Sequence, residues 1–276
     1  LPYPGVNARQ GRQNEGEKEM GIDTERIVEA VKRVKPLFMD RERSAQITEK
    51  GLADYVTQVD IRVQEQVRQE LYELYPEVQF MGEEKDNSGI DFTGDVWILD
   101  PVDGTTNLIH DFGHSTLSLA LARGGELVLG IVYHPYTDEL FLAEKGKGAR
   151  LNGRRISVSA RTQMRESLIS VGTAPYDKRQ ARETFLLFAD VFEKCADIRR
   201  LGSAALELAY VACGRIEAYF ERNLKPWDYR AGLLLIEEAG GAVTDFAGGK
   251  IDFSGKADIV GSNGAIGRLL VDEFFS

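Results

Sequence analysis

The stretch Asp100-Pro-Val-Asp103-Gly-Thr-Thr-Asn107 sets two carboxylates three residues apart, directly after the apolar run Val96-Trp-Ile-Leu99. The run has the character of a buried strand, so both acids are expected where a strand ends and a turn begins. Pro101 fixes the backbone and Gly104 permits a close bend. Thr105 and Thr106 then open a helix with free N–H groups. Hard oxygen ligands beside an anion-accepting helix start suit a phosphate ester held against divalent cations.

Taken alone, such aspartates are also ordinary turn formers before glycine. Three further segments add to them. Gly82-Glu83-Glu84 follows a short strand at 78–81; by itself it is a solvated pair of loop charges. Trp227-Asp228 begins a helix, where Asp is also a favoured cap. Lys50 lies with Asp54, Thr57 and Asp60 in a segment of loop, short strand and helix cap. Four carboxylate segments, each at a strand end or helix start, can converge on one oxygen-rich site. Mg2+ favours a few protein carboxylates completed by water and substrate phosphate. No soft ligands that would select copper or structural zinc accompany them.

Composition bounds the partners. The 276 residues carry a net charge of −10, which argues against a broad basic surface for nucleic acid. An anionic substrate remains compatible, because bound metal ions invert the local field. The two cysteines, Cys195 and Cys213, sit in apolar helix-like segments and are expected as buried free thiols. No apolar run reaches the ~18 residues of a membrane span, and a cytoplasmic, reducing compartment is expected. Residues 1–19 lack the apolar core of a signal peptide. They are expected to be a flexible or artificially added extension, with Met20 as the natural start.

The positioning elements follow from periodicity. Helices are expected at 24–39 and 61–75. An antiparallel meander follows between 79 and 159, with strands at 115–122, 127–133 and 140–143. The second half predicts strands at 168–171, 216–220, 242–244 and 259–260. Its helices are expected at 178–194, 203–213, 227–239 and 266–275. The pattern is α/β (α+β), with mixed sheets layered against helices. It divides near Ser159 into a metal-binding part, 20–159, and a substrate-recognising part, 160–276.

Gly82-Glu83-Glu84, Trp97-Ile-Leu-Asp100-Pro-Val-Asp103-Gly-Thr-Thr-Asn107 and Trp227-Asp228-Tyr-Arg-Ala-Gly232, closed by Glu238-Ala-Gly-Gly241, resemble the signatures of the inositol monophosphatase family. The match runs in order from about Asp23 to the C-terminus. The resemblance implies a layered αβαβα sandwich of the sugar-phosphatase type and a homodimer. It implies phosphate monoester hydrolysis with two to three Mg2+ ions, Mn2+ as a substitute and Li+ as an inhibitor. By position, Glu83 and Asp100 would hold one ion with the carbonyl of Val102. Asp100, Asp103 and Asp228 would hold the second. Glu83, with more distant help from Asp60, would border a third, and Lys50 and Asp54 would belong to the loop above it. Thr105 and Glu83 would orient the attacking water, and Gly104 and Thr105 would offer N–H groups to phosphate.

For the polyol, the resemblance implies approach of a backbone N–H from the turn Gly202-Ser203-Ala204-Ala205, where Ser203 can at the same time cap the helix, and contact from Glu221, at the end of the strand at 216–220. Asp103 and Asp228 would accept further hydroxyls. Tyr229 and Arg230 depart from the small or apolar residues usual after Asp228; Arg230 is expected on an exposed helix face. His110, His114 and His134 are expected to be structural. The substrate implied is an inositol monophosphate; fructose 1,6-bisphosphate, adenosine 3′,5′-bisphosphate, NADP and histidinol phosphate are the alternatives. Aspartyl-phosphate chemistry of the haloacid dehalogenase kind is disfavoured, since its aspartates stand two apart. A non-catalytic regulatory binding protein would normally have lost a ligand, whereas Glu83, Asp100, Asp103, Thr105 and Asp228 are all present.

Overall fold

Alternation along one strand separates two of the three cores. In the strand Asp95–Asp103, Val96 and Ile98 face one apolar cluster while Trp97 and Leu99 face another. The computed structural model describes residues 21–51, 53–251 and 255–275. The expected extension at 1–19 and the start at Met20 lie outside the described residues.

The chain opens with α1 (Thr24–Lys32), α2 (Lys35–Phe38), α3 (Arg41–Ser44), β1 (Ile47–Gly51), β2 (Asp54–Thr57) and α4 (Gln58–Leu74). It continues through β3 (Gln79–Gly82), β4 (Asp95–Asp103), α5 (Thr105–Ile109), β5 (Thr116–Arg123), β6 (Glu126–His134), β7 (Glu139–Glu144), β8 (Gly148–Leu151) and β9 (Arg154–Arg155). The remainder comprises β10 (Leu168–Val171), α6 (Ala181–Phe192), β11 (Asp197–Arg199), α7 (Ala204–Ala212), β12 (Ala218–Leu224), α8 (Pro226–Glu238), β13 (Ala242–Thr244), β14 (Ala257–Ser262) and α9 (Ala265–Leu270).

Strands β3 to β9 form one sheet in chain order, antiparallel except for the β3–β4 pair. A second sheet runs β11-β10-β12-β14-β13. Helices α1 and α4 cover the outer face of the first sheet through Ile27, Val31, Val63 and Val67. Helices α7 and α8 fill the space between the sheets. Helices α6 and α9 cover the far face of the second sheet through Phe188, Val191, Ile266 and Leu270. The layered αβαβα sandwich is therefore the architecture observed.

Several boundaries differ from expectation. The helix expected at 24–39 breaks between α1 and α2, where Pro36 enters. Proline cannot donate to an i−4 carbonyl and its ring clashes with it. The first turn of the helix expected at 178–194 is a 3₁₀ turn over Lys178–Gln180, and the last helix ends in a π-helical turn over Val271–Phe275. Lys50, expected in a loop, lies on β1, whose hairpin with β2 was not legible. Arg230 lies on the buried side of α8, only 1% exposed, with its guanidinium 4.6 Å from the Phe92 ring centroid. The first sheet packs against α8 over most of its length, and no exposed face is left at that position.

The middle layer is tight. A Cβ on Gly232 of α8 would lie 2.5 Å from Cβ of Leu208 on α7. Gly232→Ala is expected to cost about 1–3 kcal/mol by overpacking, read as a lower midpoint in urea. Gly89→Ala, where a Cβ meets nothing within 4 Å, should leave the midpoint unchanged.

Helix α7 also buries a carboxyl. Glu207 is 1% exposed and accepts from Ser170 Oγ at 2.8 Å and the Leu201 N–H at 2.7 Å. Burial pushes it up to about 8 from an ordinary 4.5. Between those values the folded protein holds a proton that the unfolded chain has released, so stability falls as pH rises through that window. Glu207→Gln lacks this loss. Its Tm relative to the unaltered protein should be higher near about pH 9 than near about pH 5, as scanning calorimetry can test.

Candidate active site

The two aspartates of the central motif share a face because β4 contains one surplus residue. Asp100 stands opposite Ser118 and Asp103 opposite Thr116, three steps on β4 against two on β5. In a regular strand, positions three apart point to opposite faces. The bulge resets the alternation, and Asp100 and Asp103 line one cavity of about 300 Å³. The expected turn is thus a bulged strand that continues to Asp103. Pro101 occupies the bulge, where its missing N–H costs no ladder bond. Gly104 follows at φ +87°, and a Cβ there would lie 2.9 Å from the Gly202 carbonyl oxygen. It must be glycine both for its conformation and for that approach.

The neighbouring carboxylates arrive from separate elements. Parallel pairing sets Gly82 of β3 opposite Leu99, which brings Glu83 beside Asp100; the Glu83 N–H donates to the Leu99 carbonyl at 3.2 Å. Asp228 lies in the first turn of α8 and accepts from the Lys225 N–H at 2.7 Å. Each aspartate gives one oxygen to the protein. Asp100 Oδ1 accepts from the Val102 N–H at 3.0 Å. Asp103 Oδ2 accepts from Ser203 Oγ and the Ala205 N–H, both at 2.7 Å. The second oxygen of Asp100, Asp103 and Asp228 has no hydrogen bond among the described residues.

Thr105 Oγ1 is 3.0 Å from both Asp60 Oδ1 and the Val102 carbonyl oxygen. Its single hydrogen goes to one of them, which leaves a lone pair to accept a hydrogen bond from a third group. Asp60 is fully buried, and its other oxygen accepts from the Thr57 N–H and hydroxyl at 2.8 and 2.6 Å. It stands behind Thr105 rather than on the cavity wall.

At the expected polyol site, Ser203 caps its helix and Glu221 departs from its expected strand end. Ser203 is buried and does not line the cavity: its hydroxyl holds Asp103, lies 2.9 Å from Thr116 Oγ1 and caps α7. Glu221 lines the cavity from within β12, not from a strand end, because β12 runs on to Leu224. It accepts from the Ala174 N–H at 2.7 Å and from the Tyr219 hydroxyl. Here too the strand is bulged, with Glu221 opposite Ile259 and Leu224 opposite Ala257. Gly104, Thr105, Ala204 and Asp54 line the cavity as expected of a shared site. Lys50 reaches Glu84 at 2.7 Å, Asp54 at 3.4 Å and Glu83 at 3.6 Å. Among the histidines, His134 is held at both ring nitrogens by Thr137 and the Gly113 carbonyl, and burial lowers its pKa. His114 Nδ1 is tied to the Phe112 carbonyl, whereas His110 lines the cavity. Cys195 and Cys213 are free and half-buried.

Crowding and burial make the acids of the cavity costly to ionise together. Burial pushes Asp100 and Asp228 well above the usual carboxylate range, and Glu83 and Asp103 reinforce the shift by repulsion. Burial raises Asp103 to about 7 against the hydrogen bonds of Ser203 and Ala205. Among the described residues, no group of three or more His, Cys, Asp or Glu side chains is placed to hold a metal ion as the side chains stand. Free carboxylate oxygens around an open cavity instead fit a hard cation completed by water and phosphate oxygens.

Sequence reading missed several residues. Asn107 was in view only as part of a motif; its side chain donates to the carbonyls of His114 and Leu201 at 3.0 and 2.8 Å and ties α5 to the turn before α7. Tyr176, Arg200 and Lys225 line the cavity. Only Lys225, directly before Pro226-Trp227-Asp228, had a neighbouring signal. No helix among the described residues is long and apolar enough to cross a membrane.

Known proteins share this arrangement. Residues 22–274 match the profile described as the inositol monophosphatase family. An inositol-1-monophosphatase of Rhizobium meliloti (strain 1021) is 44% identical over 207 residues, 75% of this chain and 78% of the relative. A Vibrio cholerae protein named Nus factor SuhB is 39% identical over 229 residues, 82% of this chain and 84% of the relative. The crystal structure of the extragenic suppressor protein suhB from Bartonella henselae matches with a TM-score of 0.84 at 36% identity, over 90% of this chain and 96% of that one. By sequence and by fold, the chain belongs to the inositol monophosphatase family.

Proposed function

We propose that this protein is a Mg2+-dependent phosphate monoester hydrolase that releases phosphate from an inositol monophosphate. The convergence of Glu83, Asp100, Asp103, Asp228 and Thr105 on one cavity carries the reading. The carboxylates of Glu83, Asp100, Asp103 and Asp228 and the Val102 carbonyl are the oxygens that would hold the ions. Divalent ions supply a bound water of lowered pKa and offset charge on the phosphate and leaving oxygen. Thr105, its own hydrogen directed to Asp60 or Val102, accepts a hydrogen bond from the attacking water and with Glu83 orients it, the Glu83 carboxylate being the group that can take its proton. The N–H groups of Gly104 and Thr105 hold phosphate oxygens. No side chain acts as a nucleophile. Glu221, fixed by Ala174 and Tyr219, accepts from polyol hydroxyls, as carboxylates do well. Mn2+ substitutes, Li+ inhibits, and two copies assemble as a homodimer.

The inositol substrate is supported by Glu221 and by the name of the Rhizobium meliloti relative. A nucleotide bisphosphate is the second reading. Tyr176 and Arg200 on the cavity wall offer a ring for a base and a guanidinium for a second phosphate. A third reading, a regulatory binding role, draws on the name Nus factor carried by the Vibrio cholerae relative. Purified protein with millimolar Mg2+ should release phosphate fastest from an inositol monophosphate within a panel of polyol, sugar and nucleotide phosphates. EDTA should abolish the release and Li+ reduce it. Faster release from adenosine 3′,5′-bisphosphate would favour the nucleotide reading, and no release from any compound would leave only the binding role.

Asp228→Asn separates charge from capping. Asparagine still accepts from the Lys225 N–H, so α8 keeps its start. The lost charge should lower kcat/KM by more than the ~10–100-fold typical of an outer-shell change, with Tm nearly unaltered. Unfolding with unchanged metal affinity would make Asp228 a cap and no more.

A further inference from the structure

Lys225 brings a fixed positive charge to the wall of the cavity. Its Nζ lies 3.5 Å from Glu83 Oε1. Lys50 approaches Glu83 similarly, at 3.6 Å, but sits closer to Glu84, at 2.7 Å, and is absent from the cavity wall. Lys225 has no closer carboxylate partner than Glu83 among the described residues. Its freedom is limited from two directions. The main-chain N–H is held by Asp228 at 2.7 Å, at the start of α8. The ammonium lies 5.8 Å from the Tyr176 ring centroid and 5.4 Å from that of Trp227, within the ~6 Å range at which ring faces attract cations. One residue therefore has its backbone on one expected metal-holding carboxylate and its charge on another.

We propose that Lys225 is a resident counter-cation that competes with the divalent ion for Glu83 and thereby sets the metal affinity of the site. This rests on the metal reading above and deepens it. An oxygen paired with an ammonium must give up that contact, or tolerate its repulsion, when a divalent ion binds beside it. The lysine thus balances charge in the metal-free protein and weakens binding at the Glu83 side. It makes loading dependent on the free-ion concentration. Lys225 acts through Glu83, as a positioning residue, and need not touch the reacting phosphate.

The test is metal binding by the full chain without substrate, with Mn2+ alone as the probe. Calorimetric titration gives the isotherm; fluorescence of Trp227, beside the ammonium, gives a second reading. Lys225→Met should bind Mn2+ tighter by on the order of tenfold at low salt, and Mn2+ should raise its Tm more than that of the unaltered protein. Lys225→Arg retains the charge and should stay close to the unaltered affinity, which a loss of packing alone would not explain. Equal or weaker binding by Lys225→Met, while the unaltered protein binds normally and both melt cooperatively, would overturn the role of Lys225 and leave the metal reading intact. No Mn2+ binding by the unaltered protein would overturn the metal reading and this proposal with it.

Discussion

Side chains on a strand alternate, so the odd spacing of Asp100 and Asp103 would ordinarily send one carboxylate into the cavity and the other through the sheet. The surplus residue of β4 opposite β5 removes that conflict. It also defines where the following glycine turns, since Gly104 must pass against the carbonyl of Gly202. Thr105, the Val102 carbonyl and the start of α5 take their places from the same bulge. Pairing β4 with β5 without that offset would put Asp103 on the face opposite Asp100 and dissolve the carboxylate pair, while leaving the strand up to Asp100 in register.

The acids are held by donors that come mostly from backbone or from short side chains. Val102, Ala205, Lys225 and Ala174 each give an N–H to a carboxylate of the cavity. Such donors cost little further ordering, because the fold has already fixed them. Each aspartate is gripped by one oxygen and offers the other. Burial then makes the ionised form costly, as the raised pKa values of Asp100, Asp103 and Asp228 express. A site so assembled is strained electrostatically when empty of cations and is relieved by them.

Much of this was legible along the chain, and what was not has identifiable causes. The strands at 168–171 and 242–244 could be read to the residue, since turn signals bracket short apolar runs. The carboxylates could be found because they sit inside motifs. The bulges could not, as register is a property of two strands and only one is visible in a local pattern. Ser203 could be read as a helix cap but not as a partner of Asp103, which lies a hundred positions away. Arg230 looked exposed because charge ordinarily marks a solvent face, and nothing local announces that Phe92 will cover its guanidinium. Asp60 was recognisable as a helix cap, but its approach to Thr105 was not, since that partner too is distant in the chain.

The two sheets contribute different halves of the cavity by the same device. In the first, a bulge sets Asp100 and Asp103; in the second, a bulge sets Glu221 and Leu224. Neither half means anything unless the sheets keep their distance, and α7 and α8 between them fix it. Gly232 meets Leu208 so closely that the helices cannot slide without a clash. Two polar ties then join the halves directly: Ser203 to Asp103, and Asn107 to the carbonyl of Leu201. The second tie is balanced from below by Glu207, which holds the N–H of the same residue. The turn before α7 is thus clamped at both its donor and its acceptor, and the wall of the cavity that it forms moves only if the wall carrying Asn107 moves with it.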